Sequence, residues 1–166
     1  MQGRNDNAGL LVMLALAAVL LAACHGGATS TPEATALVTQ AQRDAALDGA
    51  DWTKKVDLTI TIRDYGYLPR ELRLRSGQPY RITLVNHGSV PHYFTAPEFL
   101  ATVAARKAEV PHQAEVKAPV FAGFEIQPRG GSLNVYLVPL RTGSYRAYCH
   151  LKDHLAMGVE GVLVVE

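Results

Sequence analysis

From Val56 onward, apolar and polar residues take turns: Val56, Leu58, Ile60 and Ile62 alternate with Asp57, Thr59, Thr61 and Arg63. Successive side chains of an extended chain point to opposite faces, so a segment of this kind buries one face and wets the other. The rhythm returns at Leu72–Leu74, Tyr80–Leu84, Phe124–Ile126, Leu133–Leu137 and Val162–Val164, and turn signals at Ser76-Gly77, Pro128-Arg129-Gly130-Gly131 and Thr142-Gly143 separate the runs. Many short strands divided by turns predict an all-β sandwich or barrel. Residues 55–166 are enough for one such domain, with a core that needs no disulfides. One stretch breaks the rhythm: Glu98–Val110, Ala-rich and bounded by Pro97 and Pro111, predicts a helical insertion between strands at one edge. No internal repeat is visible.

The chain opens differently. Arg4 precedes an uninterrupted apolar run, Leu10–Ala23, that stops at Cys24. This is the layout of a signal peptide, and the run is short for a bilayer span, which takes about 20 residues. Leu21-Ala22-Ala23-Cys24 resembles the bacterial lipobox, which implies removal of residues 1–23 and acylation of Cys24 as a lipid anchor. The expected location is then the periplasmic face of the cell envelope. An Asp after the acylated cysteine signals inner-membrane retention in many Gram-negative bacteria; His25 stands there, so the default destination is the outer membrane. Residues 24–54 read as a tether, small and polar at first. Thr31-Pro32-Glu33 is a helix-start signal within it, and Leu37, Val38, Ala41 and Ala45 supply one modest apolar face for a short helix. The net charge of +1 gives no basis for nucleic-acid binding.

With Cys24 assigned to lipid, Cys149 is the one thiol left. Taken singly it is open to four readings: an inert core residue, an intermolecular disulfide, a nucleophile or a metal ligand. Its neighbours select among them. In Tyr145–Met157 (YRAYCHLKDHLAM), His154 lies five positions after the cysteine and Met157 eight, and the other methionines, Met1 and Met13, fall in the signal. Thiolate, imidazole and thioether form the donor set that selects copper, above all as a trigonal His₂Cys group with a long axial Met. The second histidine has to come from another strand, and His92 in Asn86–Phe94 (NHGSVPHYF) is the candidate.

Asn86-x-Gly88-x-x-x-His92-x-Phe94 and Gly143-x-Tyr145-x-x-Tyr148-Cys149 resemble the two copper-loop motifs of the cupredoxin family, which includes plastocyanin and azurin. The likeness extends over nearly all of residues 56–166. It implies a Greek-key β-sandwich with one mononuclear type 1 copper at one end, held by His92, Cys149, His154 and Met157. Gly161–Glu166 would be the last strand. The Cys-x4-His-x2-Met spacing departs from both relatives, although the Cys-to-Met distance is like that of plastocyanin; the tight gap before Met157 can lengthen or weaken the axial bond.

His150 follows the cysteine as in the His-Cys-His pattern of multicopper oxidases, but adjacent strand residues face opposite ways, so it is not expected to bind the same ion. Without further His-x-His motifs, no trinuclear copper site is expected. His87 could donate a hydrogen bond to the site from outside the ligand set, while His25 and His112, in tether and loop, read as solvated or hydrogen-bonded side chains.

A three-plus-one ligand set leaves no open position for a substrate, which favours electron transfer over catalysis. The implied partner is a redox protein such as a c-type cytochrome or an oxidase or reductase. Leu151, Leu155 and Ala156 form either an apolar docking rim or ordinary loop packing. Two other classes remain: a copper carrier or resistance protein with an exchangeable ion, and a copper enzyme, which gains if Met157 does not bind.

Overall fold

The structure is a computed structural model, and it describes residues 38–166. The signal segment, Cys24, His25 and the helix-start signal at Thr31 lie outside the described residues. No described helix is long and apolar enough to cross a membrane.

The chain begins with a helix, α1 (Gln40–Gly49), and a single 3₁₀ turn at Trp52–Lys54. The strands β1 (Val56–Arg63), β2 (Gly66–Leu68), β3 (Glu71–Leu74), β4 (Tyr80–Asn86) and β5 (His92–Thr95) follow. After a short helix, α2 (Pro97–Ala101), come β6 (Val103–Val110), β7 (Ala114–Val116), β8 (Gly123–Ile126), β9 (Gly131–Pro139), β10 (Gly143–Tyr148) and β11 (Glu160–Val165).

The strands form two sheets, ordered β2-β1-β4-β9-β6-β7 and β3-β11-β10-β5-β8. Pairing is antiparallel except for β1 with β4 and β3 with β11. The period-two pattern sets which residues face inward. In β4, Tyr80, Ile82, Leu84 and Asn86 are buried while the residues between them are half-buried, and in β11 Gly161, Leu163 and Val165 are buried. With Ile60, Ile62, Phe94, Val135 and Leu137 they make a single core between the sheets.

The structure corrects the helical insertion. Only Pro97–Ala101 is helical, starting with proline in its first turn and closing where Thr102 donates through both N and Oγ1 to Phe99 O. Val103–Val110 is instead a strand paired with β9, with a register shift between Ala105 and Lys107. Alanine's helix preference is worth only a few tenths of a kcal/mol per residue. Here Val103, Ala104, Ala105 and Ala108 are buried and their backbone groups complete a central strand, so packing outweighs propensity.

The expected tether helix is also different in kind. It starts at Gln40, with Thr39 as N-cap in a reciprocal capping box with Gln42. Ala41 and Ala45, expected on an apolar face, are exposed. The buried residue of α1 is Arg43, whose guanidinium donates to Val103 O and Ala101 O and so satisfies carbonyls where α2 gives way to β6. Trp52 adds a ring contact to Tyr136 and carries the Arg106 guanidinium over its face. Residues 38–54 are therefore docked on the sandwich. Replacing Arg43 by Ala leaves two carbonyls without their partner, and a loss of about 2 kcal/mol is expected in urea unfolding. A loss under about 0.5 kcal/mol would mean that the helix is held by something else.

Candidate metal centre

Three residues from two loops meet at one end of the sandwich. The first loop leaves β4 at Asn86, whose inward register buries its amide completely. The amide donates from Nδ2 to Val90 O (2.8 Å) and Ile126 O (2.9 Å), and Oδ1 accepts from Gly88 N (2.8 Å). These three bonds fold residues 87–91 back on themselves, so that β5 begins with His92 pointing inward and fully buried.

The second loop leaves β10 at Cys149. Cys149 N donates to Val159 O, His154 N to Leu151 O and Val159 N to His154 O, which closes a compact loop before β11. Positive φ at Asp153 (66°) and Gly158 (83°) allows the two tight reversals. Cys149 is fully buried and His154 half-buried.

The donor atoms converge. His92 Nδ1 lies 3.2 Å from His154 Nδ1, and His154 Nδ1 lies 3.4 Å from Cys149 Sγ. All three donors fall within 4.8 Å of one another. A trigonal ion with bonds of about 2.0–2.3 Å to nitrogen and sulfur sets its ligands about 3.5 Å apart. The observed spacing therefore fits one ion, and two imidazoles with one thiol fit the preference of copper.

The surroundings suit a thiolate. Tyr93 N donates to Cys149 Sγ at 3.3 Å, stabilising negative charge on the sulfur. Below it, the buried Tyr67 hydroxyl donates to Tyr93 O, and burial, with Cys149 nearby, pushes this phenol above its ordinary range. His92 presents its other nitrogen, Nε2, to Asp64 Oδ1 at 3.1 Å. Asp64 also accepts from Ser89 N and Ser89 Oγ, and the bonds from His92 and Ser89 hold its carboxyl below the usual carboxylate range.

The structure thus brings His92, Cys149 and His154 together. Met157 sits on the same loop, 43% exposed, with its N–H donating to Asp153 O. His150 is exposed and turned from the cluster: its Nδ1 meets Thr95 Oγ1 at 2.7 Å and its ring lies 4.1 Å from that of Tyr93. His87 and His112 are exposed. Asp64, Ser89 and Tyr67 are contributors that sequence reasoning missed. Asp64 precedes His92 by 28 positions and stands in a turn between two strands, where an aspartate has an ordinary local explanation.

No family model matches the chain. No curated protein matches it either. Solved structures do. A copper-containing nitrite reductase from Thermus scotoductus superposes with a TM-score of 0.52 at 13% identity, covering 67% of this chain and 31% of that one. The fold is cupredoxin-like. An auracyanin from Roseiflexus castenholzii also matches, at TM-score 0.48 and 20% identity over 71% of this chain and 99% of that one. So does a multicopper oxidase from Campylobacter jejuni, at TM-score 0.47 and 14% identity over 67% of this chain and 30% of that one. The all-β sandwich with a short helix expected from the sequence is thereby borne out. At 13% identity the nitrite reductase superposition shows the fold alone, and the chemistry of the site rests on its own donor atoms.

Proposed function

We propose that this protein is an electron carrier with a single type 1 copper, anchored by lipid on Cys24 at the periplasmic face of the envelope, the outer membrane being the default. The observation that carries the reading is the convergence of His92 Nδ1, His154 Nδ1 and Cys149 Sγ on one ion-sized volume. Copper bound there supplies a one-electron couple between Cu(II) and Cu(I). The chain supplies the rest. Buried His92 and Cys149 are held by backbone and side-chain hydrogen bonds, so the chain would keep these donors in place whichever oxidation state copper takes. Half-buried His154 brings the donor set toward the surface. Beside it, Leu155 is 39% exposed, and Val90, at 40%, comes from the first loop. Exposed apolar side chains on these two loops suit brief docking of a redox protein, for example a c-type cytochrome or an oxidase or reductase. Met157, exposed on the same loop as His154, would supply its thioether as the fourth donor.

The exposure of Met157 favours one second reading, in which Met157 does not bind and copper would keep a position open to a small substrate. One set of measurements on the full-length protein in detergent separates these. Cu(II) titration is expected to give an intense thiolate-to-copper band at one equivalent. Repeated cycles of ascorbate and ferricyanide should bleach and restore it without copper release. Turnover of nitrite or a phenol would establish the enzyme, and rapid loss of copper to a chelator would establish a carrier.

A further inference from the structure

We propose that Asp64 is a positioning residue of the copper site: its carboxylate fixes His92 as the Nε2–H tautomer, and its negative charge favours the oxidised ion. This rests on the copper reading above and deepens it. An imidazole whose Nε2–H is held by an acceptor has its Nδ1 lone pair free for a metal, and His92 Nδ1 is the nitrogen that faces His154 Nδ1.

The contact is built. Asp64 Oδ1 stands 3.1 Å from His92 Nε2 and accepts from Ser89 N at 3.0 Å, while Oδ2 accepts from Ser89 Oγ at 3.0 Å. Gly88 runs between them: a Cβ on it would fall 2.4 Å from Asp64 Oδ1 and 3.0 Å from His92 Nε2. Only a hydrogen fits there, so the glycine of the first copper-loop motif makes room for the carboxylate against the ligand ring.

The charge has a direction. Cu(II) with a thiolate sums to +1, and Cu(I) with a thiolate to zero. A nearby carboxylate attracts the first and leaves the second almost unaffected, so it lowers the reduction potential. Among the described residues His92 is the one cationic-type side chain in ion-pair contact with Asp64, and no Lys or Arg neutralises it. The carboxyl side chain is 34% exposed, so water weakens the effect without removing it.

The test is a redox titration of the copper-loaded full-length protein and its Asp64→Asn and Ser89→Ala variants. Asp64→Asn keeps the shape and removes the charge. The expected result is a fall of about tenfold in the preference for Cu(II) over Cu(I), read as a midpoint potential about 59 mV higher, with the thiolate band kept. Ser89→Ala keeps the charge and the bond from the Ser89 backbone and removes only the hydroxyl bond to Oδ2, so a smaller change than that of Asp64→Asn is expected. An Asp64→Asn change below threefold, or an equal change in Ser89→Ala, overturns the proposal. Nitrogen-15 spectra of the wild-type Cu(I) protein give a check that does not depend on a variant folding: His92 protonated at Nε2 supports the assignment, and protonated at Nδ1 sinks it. A wild type with no Cys149-dependent band would instead overturn the copper reading itself, and this inference with it.

Discussion

Replacing Cys149 by serine is expected to abolish the visible thiolate-to-copper band and to weaken copper binding by more than about 100-fold, because losing even an outer partner of a ligand costs about 10–100-fold. The argument starts from the atom exchanged. Sγ is the soft donor of the set, fully buried and 3.4 Å from His154 Nδ1. A serine hydroxyl keeps its proton near neutral pH, so it offers a neutral, hard oxygen where copper favours a charged, soft sulfur. The exchange is nearly isosteric, and the hydroxyl can accept from Tyr93 N, which now donates to sulfur at 3.3 Å. The fold should therefore survive, and the spectrum should report the site alone. Visible absorption with a competing chelator reads both effects. A band of wild-type intensity, or an affinity within threefold of wild type, would make Cys149 a structural core residue and remove the basis of the electron-carrier proposal.

Much of this was legible in the sequence because one alternation and two loop motifs carried it. The inward register of β4 and β11 follows from alternation alone, since a one-residue slip would expose Leu84 and Leu163, both buried. The pairing of Cys149 with His154 was local, and the motif around His92 ended at a strand start, so both could be read along the chain. What sequence reasoning lost was of two kinds. Val103–Val110 read as helix because alanine has little side chain to declare a face, and only the neighbouring β9 supplies the reason for it to extend. Arg43 and Asp64 act across 60 and 28 positions respectively, on a carbonyl and an imidazole that only folding brings near. Polar contacts of this range leave no periodic trace. Arg43 stands on a helix whose expected buried face was apolar, and Asp64 in a turn where aspartate is ordinary.

Asn86→Ala is the second large effect expected, about 3 kcal/mol of stability, because it strips partners from several buried groups at once. The amide is fully buried and makes three bonds, to Val90 O, Ile126 O and Gly88 N. Each group left without a partner costs about 1–3 kcal/mol, but the exposed Val90 region admits water, so the sum falls below three full penalties. Asn86→Asp separates hydrogen bonding from mere volume. Its carboxylate can still accept from Gly88 N, yet it sets a charged oxygen against the carbonyls of Val90 and Ile126, where the amide now donates. At neutral pH it should be at least as damaging as alanine. Its folded-state pKa would stand above the unfolded value, so part of the loss should return as pH falls and the carboxyl protonates. Urea unfolding of the metal-free protein at pH 7 and pH 5 measures both. The same loosening reaches His92 through residues 87–91, and a fall of about tenfold in copper affinity should accompany the alanine variant. If Asn86→Ala costs under about 1 kcal/mol, the loop is held by its backbone alone, and the placement of His92 needs another cause.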